Sequence, residues 1–143
     1  MRSRLLFAAG LSVVIGGIVG TGVALAATPQ QLLVDYSVLA KREAPAFAGF
    51  SVARGADLYG QPRMRADGVK ASCSGCHTAD PKAAGRSRAN KDIAPLAPAA
   101  NPRRFTDAVQ VEKWFARNCP DVLERACTAQ EKGDFITYLL SVK

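Results

Sequence analysis

Cys73-Ser74-Gly75-Cys76-His77 constrains this chain more than any other stretch. It reads C-x-x-C-H. Two thiols three positions apart reach the two vinyl groups on one edge of a porphyrin, and a histidine next in sequence turns onto its iron. The motif therefore predicts one haem c, attached through Cys73 and Cys76, with His77 as the proximal axial ligand of the iron. His77 is the single histidine, and methionine occurs only at Met1 and Met64. The usual second axial ligands of an electron-carrier haem are thus almost absent.

Other uses of such a motif fit less well. A thioredoxin-like redox pair needs a βαβ surround, and no strand-like apolar runs flank Cys73 and Cys76. A zinc site needs four nitrogen or sulfur ligands, which would take Cys119 and Cys127 as well.

The first residues read as an export signal. Arg2 and Arg4 precede an apolar run from Leu5 to Val23, and Ala24-Leu25-Ala26 is an A-x-A cleavage site. The expected division is a signal peptide over 1–26 and a monohaem domain over 27–143, in the periplasm. The apolar run is long enough to span a bilayer, so an uncleaved anchor is the alternative. Its glycines and the small-residue site favour cleavage. Export puts the remaining cysteines in a compartment that permits disulfides, and Cys119 with Cys127 is the natural pair.

The formal charge of +7 falls to +5 without Arg2 and Arg4. That mild excess suits an acidic redox partner or an anionic surface. Nucleic acid is not expected, since the basic residues are scattered with no interleaved aromatics.

The remainder reads as helices and loops without a convincing strand. Thr28-Pro29 starts a helix with Leu32, Leu33, Tyr36, Leu39 and Ala40 at helical spacing, stopped by Pro45. A short helix over Ser51 to Tyr59 turns Val52, Leu58 and Tyr59 inward. Gly60 to Ala71 is a loop leading to the motif. Thr78 to Pro102 is an extended loop whose apolar stretch Ile93 to Pro98 packs on the porphyrin. A third helix begins near Thr106-Asp107, carries Val109, Val111, Trp114 and Phe115, and ends by Pro120. Thr128-Ala129-Gln130-Glu131 is a capping box opening a last helix with Phe135, Ile136, Leu139 and Leu140 apolar.

That layout resembles a class I cytochrome c, an all-α fold with helices around one covalently bound haem. The resemblance implies that Gly55 and Tyr59 of an early helix cross Phe135, Tyr138 and Leu139 of the last one. It also implies a proline carbonyl that accepts a hydrogen bond from the ligand histidine, with Pro95 the best match and Pro98 the next.

A class I cytochrome takes its methionine ligand from the chain after C-x-x-C-H, and none follows His77. Met64 lies on the wrong side. A lysine, an asparagine, a tyrosine, water or an open site remain. Asn118, just before Cys119, is one candidate; read by itself it is better explained as a helix C-cap.

Asn101-Pro102-Arg103-Arg104-Phe105-Thr106-Asp107, Val111 to Cys119, and Cys127 to Asp134 resemble the sphaeroides haem protein family. The likeness extends to the haem motif and to Pro95-Leu96-Ala97-Pro98. Its specific mark is Asn-Cys at a helix end with a second cysteine soon after. The resemblance implies that Asn118 is the distal ligand of ferric iron, leaves on reduction, and opens a site for a diatomic gas such as O2 or NO. It implies a Cys119–Cys127 disulfide and a dihaem cytochrome c, linked to a membrane cytochrome b, as electron donor. Related cytochromes carry a histidine where this chain has Asn118.

The expected function is therefore an exported monohaem cytochrome c that accepts electrons and binds a diatomic ligand at ferrous haem. One alternative is a plain carrier with a permanent sixth ligand. The other is a gas-converting enzyme, such as an NO dioxygenase or an O2 or peroxide reductase. Phe115 and Trp114 are candidates to keep the distal pocket dry, or simply core. Arg103 and Arg104 are candidates to pair with propionates, or simply solvated.

Overall fold

A computed structural model describes residues 27–143. The expected signal segment, 1–26, lies outside the described residues, and so does the anchor alternative. Among the described residues no helix is long and apolar enough to cross a membrane.

Helix α1 (Pro29–Glu43) opens where Thr28 accepts a hydrogen bond from the Gln31 amide at 3.1 Å, with Pro29 in the first turn. It closes at Ala44, which is extended because Pro45 follows it. Its buried stripe is Leu32, Tyr36 and Ala40, one residue per turn; Leu39 is exposed. Helix α2 (Val52–Gly60) is capped by the Ser51 hydroxyl and buries Gly55, Leu58 and Tyr59. Val52, expected inward, sits at the first helical position and is exposed.

Helix α5 (Ala129–Ser141) is the centre of the packing. Both halves of its capping box form: Thr128 accepts from the Glu131 amide, and the Glu131 carboxylate accepts from the Thr128 amide. Ile136 and Leu139 are completely buried, and α1 and α2 both lie on this helix. The α2–α5 crossing joins the residues that the class I resemblance implies. A Cβ on Gly55 would run into the Asp134 carbonyl and come within 2.7 Å of Tyr138 Cβ. Tyr59 meets Phe135 and Tyr138, ring centroids 6.2 and 5.5 Å apart. Each large side chain so buried contributes about 1.5–3 kcal/mol.

Asp134 is a buried carboxylate at this crossing. It accepts from Arg54 Nε at 2.7 Å, from Arg54 Nη2 at 2.9 Å and from the Ser51 amide at 2.6 Å. A buried charge persists when it is paired and hydrogen-bonded in this way.

Short strands occur where loops were expected. β1 (Arg63–Met64) pairs antiparallel with β2 (Lys70–Ala71), and β3 (Gly85–Arg86) with β4 (Asp92–Ile93). Two-residue strands carry no readable alternation, which is why the sequence hides them. The first hairpin turns at Asp67-Gly68, with Gly68 at φ +78°.

Helix α4 (Ala108–Leu123), capped by Asp107, does not stop at Pro120 as expected. Proline removes only one N–H, the one that would have reached the Ala116 carbonyl, and the helix runs on. Glu124 ends it in the left-handed conformation at φ +56°, its amide donating to the Pro120 carbonyl at 3.1 Å.

Candidate haem-attachment site

The C-x-x-C-H motif folds as one turn of helix. The amides of Cys76 and His77 donate to the Cys73 carbonyl at 3.3 and 3.1 Å, and α3 (Ser74–His77) follows. At about 100° per residue, Cys73, Cys76 and His77 fall on one side of that turn. The two thiols differ in surroundings. Cys73 packs against the core, its Sγ 3.7 Å from the Leu58 carbonyl, and burial pushes its thiol up to about 11. Cys76 faces outward onto an open cavity bordered by Arg65, Lys70, Ala71 and Arg88. Neither thiol is in a disulfide.

Long-range contacts hold this turn. Tyr59 of α2 donates its hydroxyl to the Thr78 carbonyl at 2.7 Å, with the His77 carbonyl at 3.1 Å. Thr78 takes φ +64°, a conformation costly for a β-branched residue, directly after His77. Behind the turn, β3 lies flush against it. A Cβ on Gly85 would collide with the Cys76 carbonyl and come within 2.9 Å of His77 Cα. Sequence reasoning missed Gly85, whose role depends on a close approach between segments distant in sequence.

His77 is half-buried. Its Nδ1 is buried and has no hydrogen-bond partner among the described residues. Burial, and then the nearby Arg104 guanidinium, push its imidazole down to about 4. A neutral imidazole keeps a lone pair on one of its two nitrogens, as a metal ligand must. Two free thiols and one neutral imidazole on a single helical turn therefore fit a covalent haem. Among the described residues no group of three or more His, Cys, Asp or Glu is placed to hold a metal ion.

The expected hydrogen bond from His77 to Pro95 is not formed. The Pro95 carbonyl accepts instead from Arg104 Nε at 2.7 Å and from Asn101 Nδ2 at 3.3 Å, while Arg104 Nη2 donates to the Ala94 carbonyl. Arg104 is thus neither purely solvated nor free; it staples the loop that carries Leu96 and Ala97. That loop is further held by the Leu96 and Ala97 amides, both donating to the Pro81 carbonyl at 2.9 Å. Arg103 is exposed.

Asn118 lies inside α4, five residues before its last one, so it does not cap the helix. Its side chain is exposed and makes no hydrogen bond among the described residues. Cys119 beside it is buried and joined to Cys127, with the Cα atoms 5.6 Å apart. Phe115, one turn earlier, packs edge-on against Tyr36 and Phe135 and belongs to the core. Trp114 is 47 % exposed and stacks under the Arg117 guanidinium. The end of α4 is tied to the hairpin that leads into the haem motif. Arg65 donates to the Asp121 carbonyl at 2.6 Å, and the Ala66 amide to the Glu124 carboxylate.

Residues 45–139 match a family described as domain of unknown function DUF1924. The chain is 42 % identical over 112 residues to cytochrome c-type protein SHP of Cereibacter sphaeroides, covering 78 % of this chain and 82 % of that protein. It is 34 % identical over 113 residues to cytochrome c'' of Methylophilus methylotrophus, covering 78 % of each. Among solved structures, oxidized cytochrome c'' from Methylophilus methylotrophus superposes with a TM-score of 0.73 at 34 % identity, over 80 % of this chain and 94 % of that one. Oxidized SHP, described as an oxygen-binding cytochrome c, superposes with a TM-score of 0.70 at 40 % identity, over 80 % and 96 %.

Proposed function

The chain belongs to the family of cytochrome c-type protein SHP and cytochrome c'', and from that premise we propose that it is an exported electron acceptor that opens a gas-binding site when reduced. It is a monohaem cytochrome c, and its cofactor is one haem c with iron. In this reading Cys73 and Cys76 hold the haem and His77 is its proximal ligand. The bound iron supplies a one-electron change and a coordination position for a diatomic molecule.

The chain's own residues set when that position is free. The observation that carries the reading is the Asn118 amide: exposed, without a hydrogen bond among the described residues, and next to the Cys119–Cys127 bridge. No methionine follows His77 and no second histidine exists. An amide oxygen is a hard, weak donor, so Asn118 would ligate ferric iron better than the softer ferrous form. Only such unequal affinity lets reduction open the site.

Residues 1–26 direct the chain to the periplasm, where the remaining +5 charge suits an acidic redox donor, a dihaem cytochrome c linked to a membrane cytochrome b. The SHP structure is described as that of an oxygen-binding cytochrome c, which supports O2 as the gas; NO is the other diatomic candidate.

Visible spectra of wild type and Asn118→Ala, ferric and dithionite-reduced, with and without CO, test the proposal. Asn118→Ala moves the ferric spectrum toward a high-spin form and leaves the ferrous and CO-bound spectra nearly unchanged. An unchanged ferric spectrum overturns Asn118 as ligand. A reduced wild type that binds no CO makes the protein a plain carrier. Consumption of NO or O2 on repeated turnover makes it an enzyme.

A further inference from the structure

The segment that enters the haem motif and the end of the helix that carries Asn118 are bonded to each other. The β1–β2 hairpin ends at Ala71, two residues ahead of Cys73. Met64 pairs with Lys70, and the next residue, Arg65, donates its amide to the Val69 carbonyl at 3.0 Å. From there Arg65 Nη1 donates to the Asp121 carbonyl at 2.6 Å. The Ala66 amide donates to the Glu124 carboxylate, 3.1 and 3.0 Å from its two oxygens. Asp121 lies three residues beyond Asn118, about 4.5 Å along the axis of α4. Its carbonyl is among the last four of the helix, which have no partner within it. A guanidinium there also meets the negative end of the helix dipole. The Arg65 side chain is only 21 % exposed, with Asp67 Oδ2 at 3.3 Å from its Nε, so it is a seated group. Glu124 takes φ +56°, a conformation that glycine fills more readily at helix ends. Its side chain supplies what glycine could not, the acceptor for the Ala66 amide.

We propose that Arg65 and Glu124 are positioning residues for the distal ligand: they clasp the end of α4 to the hairpin that enters the haem motif, and so set the reach of Asn118. The inference rests on the reading of Asn118 as the ligand of ferric iron. An amide is a weak donor. It keeps its place against water only where the backbone delivers it at little further cost in order. The Cys119–Cys127 bridge ties α4 to the residue just ahead of the α5 cap, away from the segment with Cys73, Cys76 and His77. The clasp joins α4 to that segment itself. With the clasp open, the end of α4 gains positions from which Asn118 does not reach, and the amide loses to water.

The test uses the haem-loaded wild type, Arg65→Met, Glu124→Gly, Asn118→Ala and the double variant Arg65→Met/Asn118→Ala. Optical and electron paramagnetic resonance spectra of the ferric proteins give the ratio of high-spin to low-spin haem, and thermal melts give stability. Arg65→Met is expected to raise that ratio roughly fivefold, the effect of losing one hydrogen bond of ordinary strength. Glu124→Gly is expected to raise it likewise with little loss of stability, because glycine relieves the left-handed strain. The double variant is expected to match Asn118→Ala, since the clasp acts through that amide. If Arg65→Met and Glu124→Gly keep the wild-type ratio, whatever their stability, the clasp only fastens the hairpin and the proposal fails. A double variant shifted beyond Asn118→Ala overturns the route through the amide. Should Arg65→Met not fold, a Glu124→Gly protein with an unmoved ratio overturns the proposal equally. A ferric Asn118→Ala spectrum equal to wild type removes the Asn118 reading and the clasp with it. That result is distinct from an altered Asn118→Ala spectrum beside unmoved clasp variants, which overturns the clasp alone.

Discussion

The Tyr59 hydroxyl donates to the Thr78 carbonyl at 2.7 Å, joining the early helix to the residue that follows the haem-motif histidine. Burial raises the Tyr59 phenol far above its usual range, so it remains a donor throughout the working pH range. Thr78 pays a conformational cost at φ +64°, and this bond is one of the contacts that holds it there. Tyr59→Phe keeps the ring in the core and removes only the donor. The expected loss is about 1 kcal/mol, plus the penalty of a bare carbonyl. Urea unfolding of the two proteins measures it, and equal midpoints would show the bond to be idle.

Gly55 and Gly60 lie on the same helix and predict opposite results. Alanine at 55 forces α2 away from α5, against backbone that cannot yield, at roughly 1–3 kcal/mol or more. Alanine at 60 meets nothing within 4 Å and is expected to be neutral or stabilising by a few tenths of a kcal/mol. Denaturant midpoints for both variants decide the matter; a tolerated Gly55→Ala would mean the crossing is looser than the packing indicates.

The Cys119–Cys127 bridge closes a short loop with a sequence separation of 8. The chain-entropy model gives about 2.5 kcal/mol for a loop of that size. Reduction is expected to lower stability by that order and to loosen the Asn118 end of α4. Thermal melts with and without reductant, followed at the ferric haem bands, read both effects. Two free thiols titrated in native, unreduced protein carrying attached haem would contradict the bridge.

Glu131 gives a pH signature. Its hydrogen bonds with Arg125, and after them the Thr128 amide, hold the carboxyl below the ordinary range against the opposing effect of burial. The folded form thus binds the proton less tightly than the unfolded chain. The stabilisation is complete above the unfolded value of about 4.3 and disappears as pH falls through the lower folded value. Glu131→Gln is expected to be less stable than wild type at neutral pH and to converge with it in acid below about pH 4. Parallel melting curves across that range would remove the carboxylate from the account.

How much could be read in advance depended on distance along the chain. The caps Thr28 and Thr128 were legible because each bonds an amide three residues on; Ser51 and Asp107, read only as helix starts, cap in the same way. The crossing of Gly55 and Tyr59 with Phe135, Tyr138 and Leu139 was legible only through family likeness. The error at Pro120 came from treating one missing amide as a stop, when Glu124 could close a further turn. Val52 was placed inward and Leu39 counted into the helical stripe, and the buried stripes proved narrower.

The sequence by itself determined the chemistry that one helical turn can contain. Cys73, Cys76 and His77 share a face because of their spacing, and a chain with one histidine and no later methionine must find its second ligand elsewhere. Only the tertiary structure decided what surrounds that turn. Gly85 lies against Cys76, Tyr59 fixes Thr78, and Arg104 rather than His77 occupies the Pro95 carbonyl. Each of these joins residues 9 or more positions apart. Such choices depend on which donor reaches a shared acceptor once α1, α2 and α5 have packed, and no local pattern in the chain records that outcome.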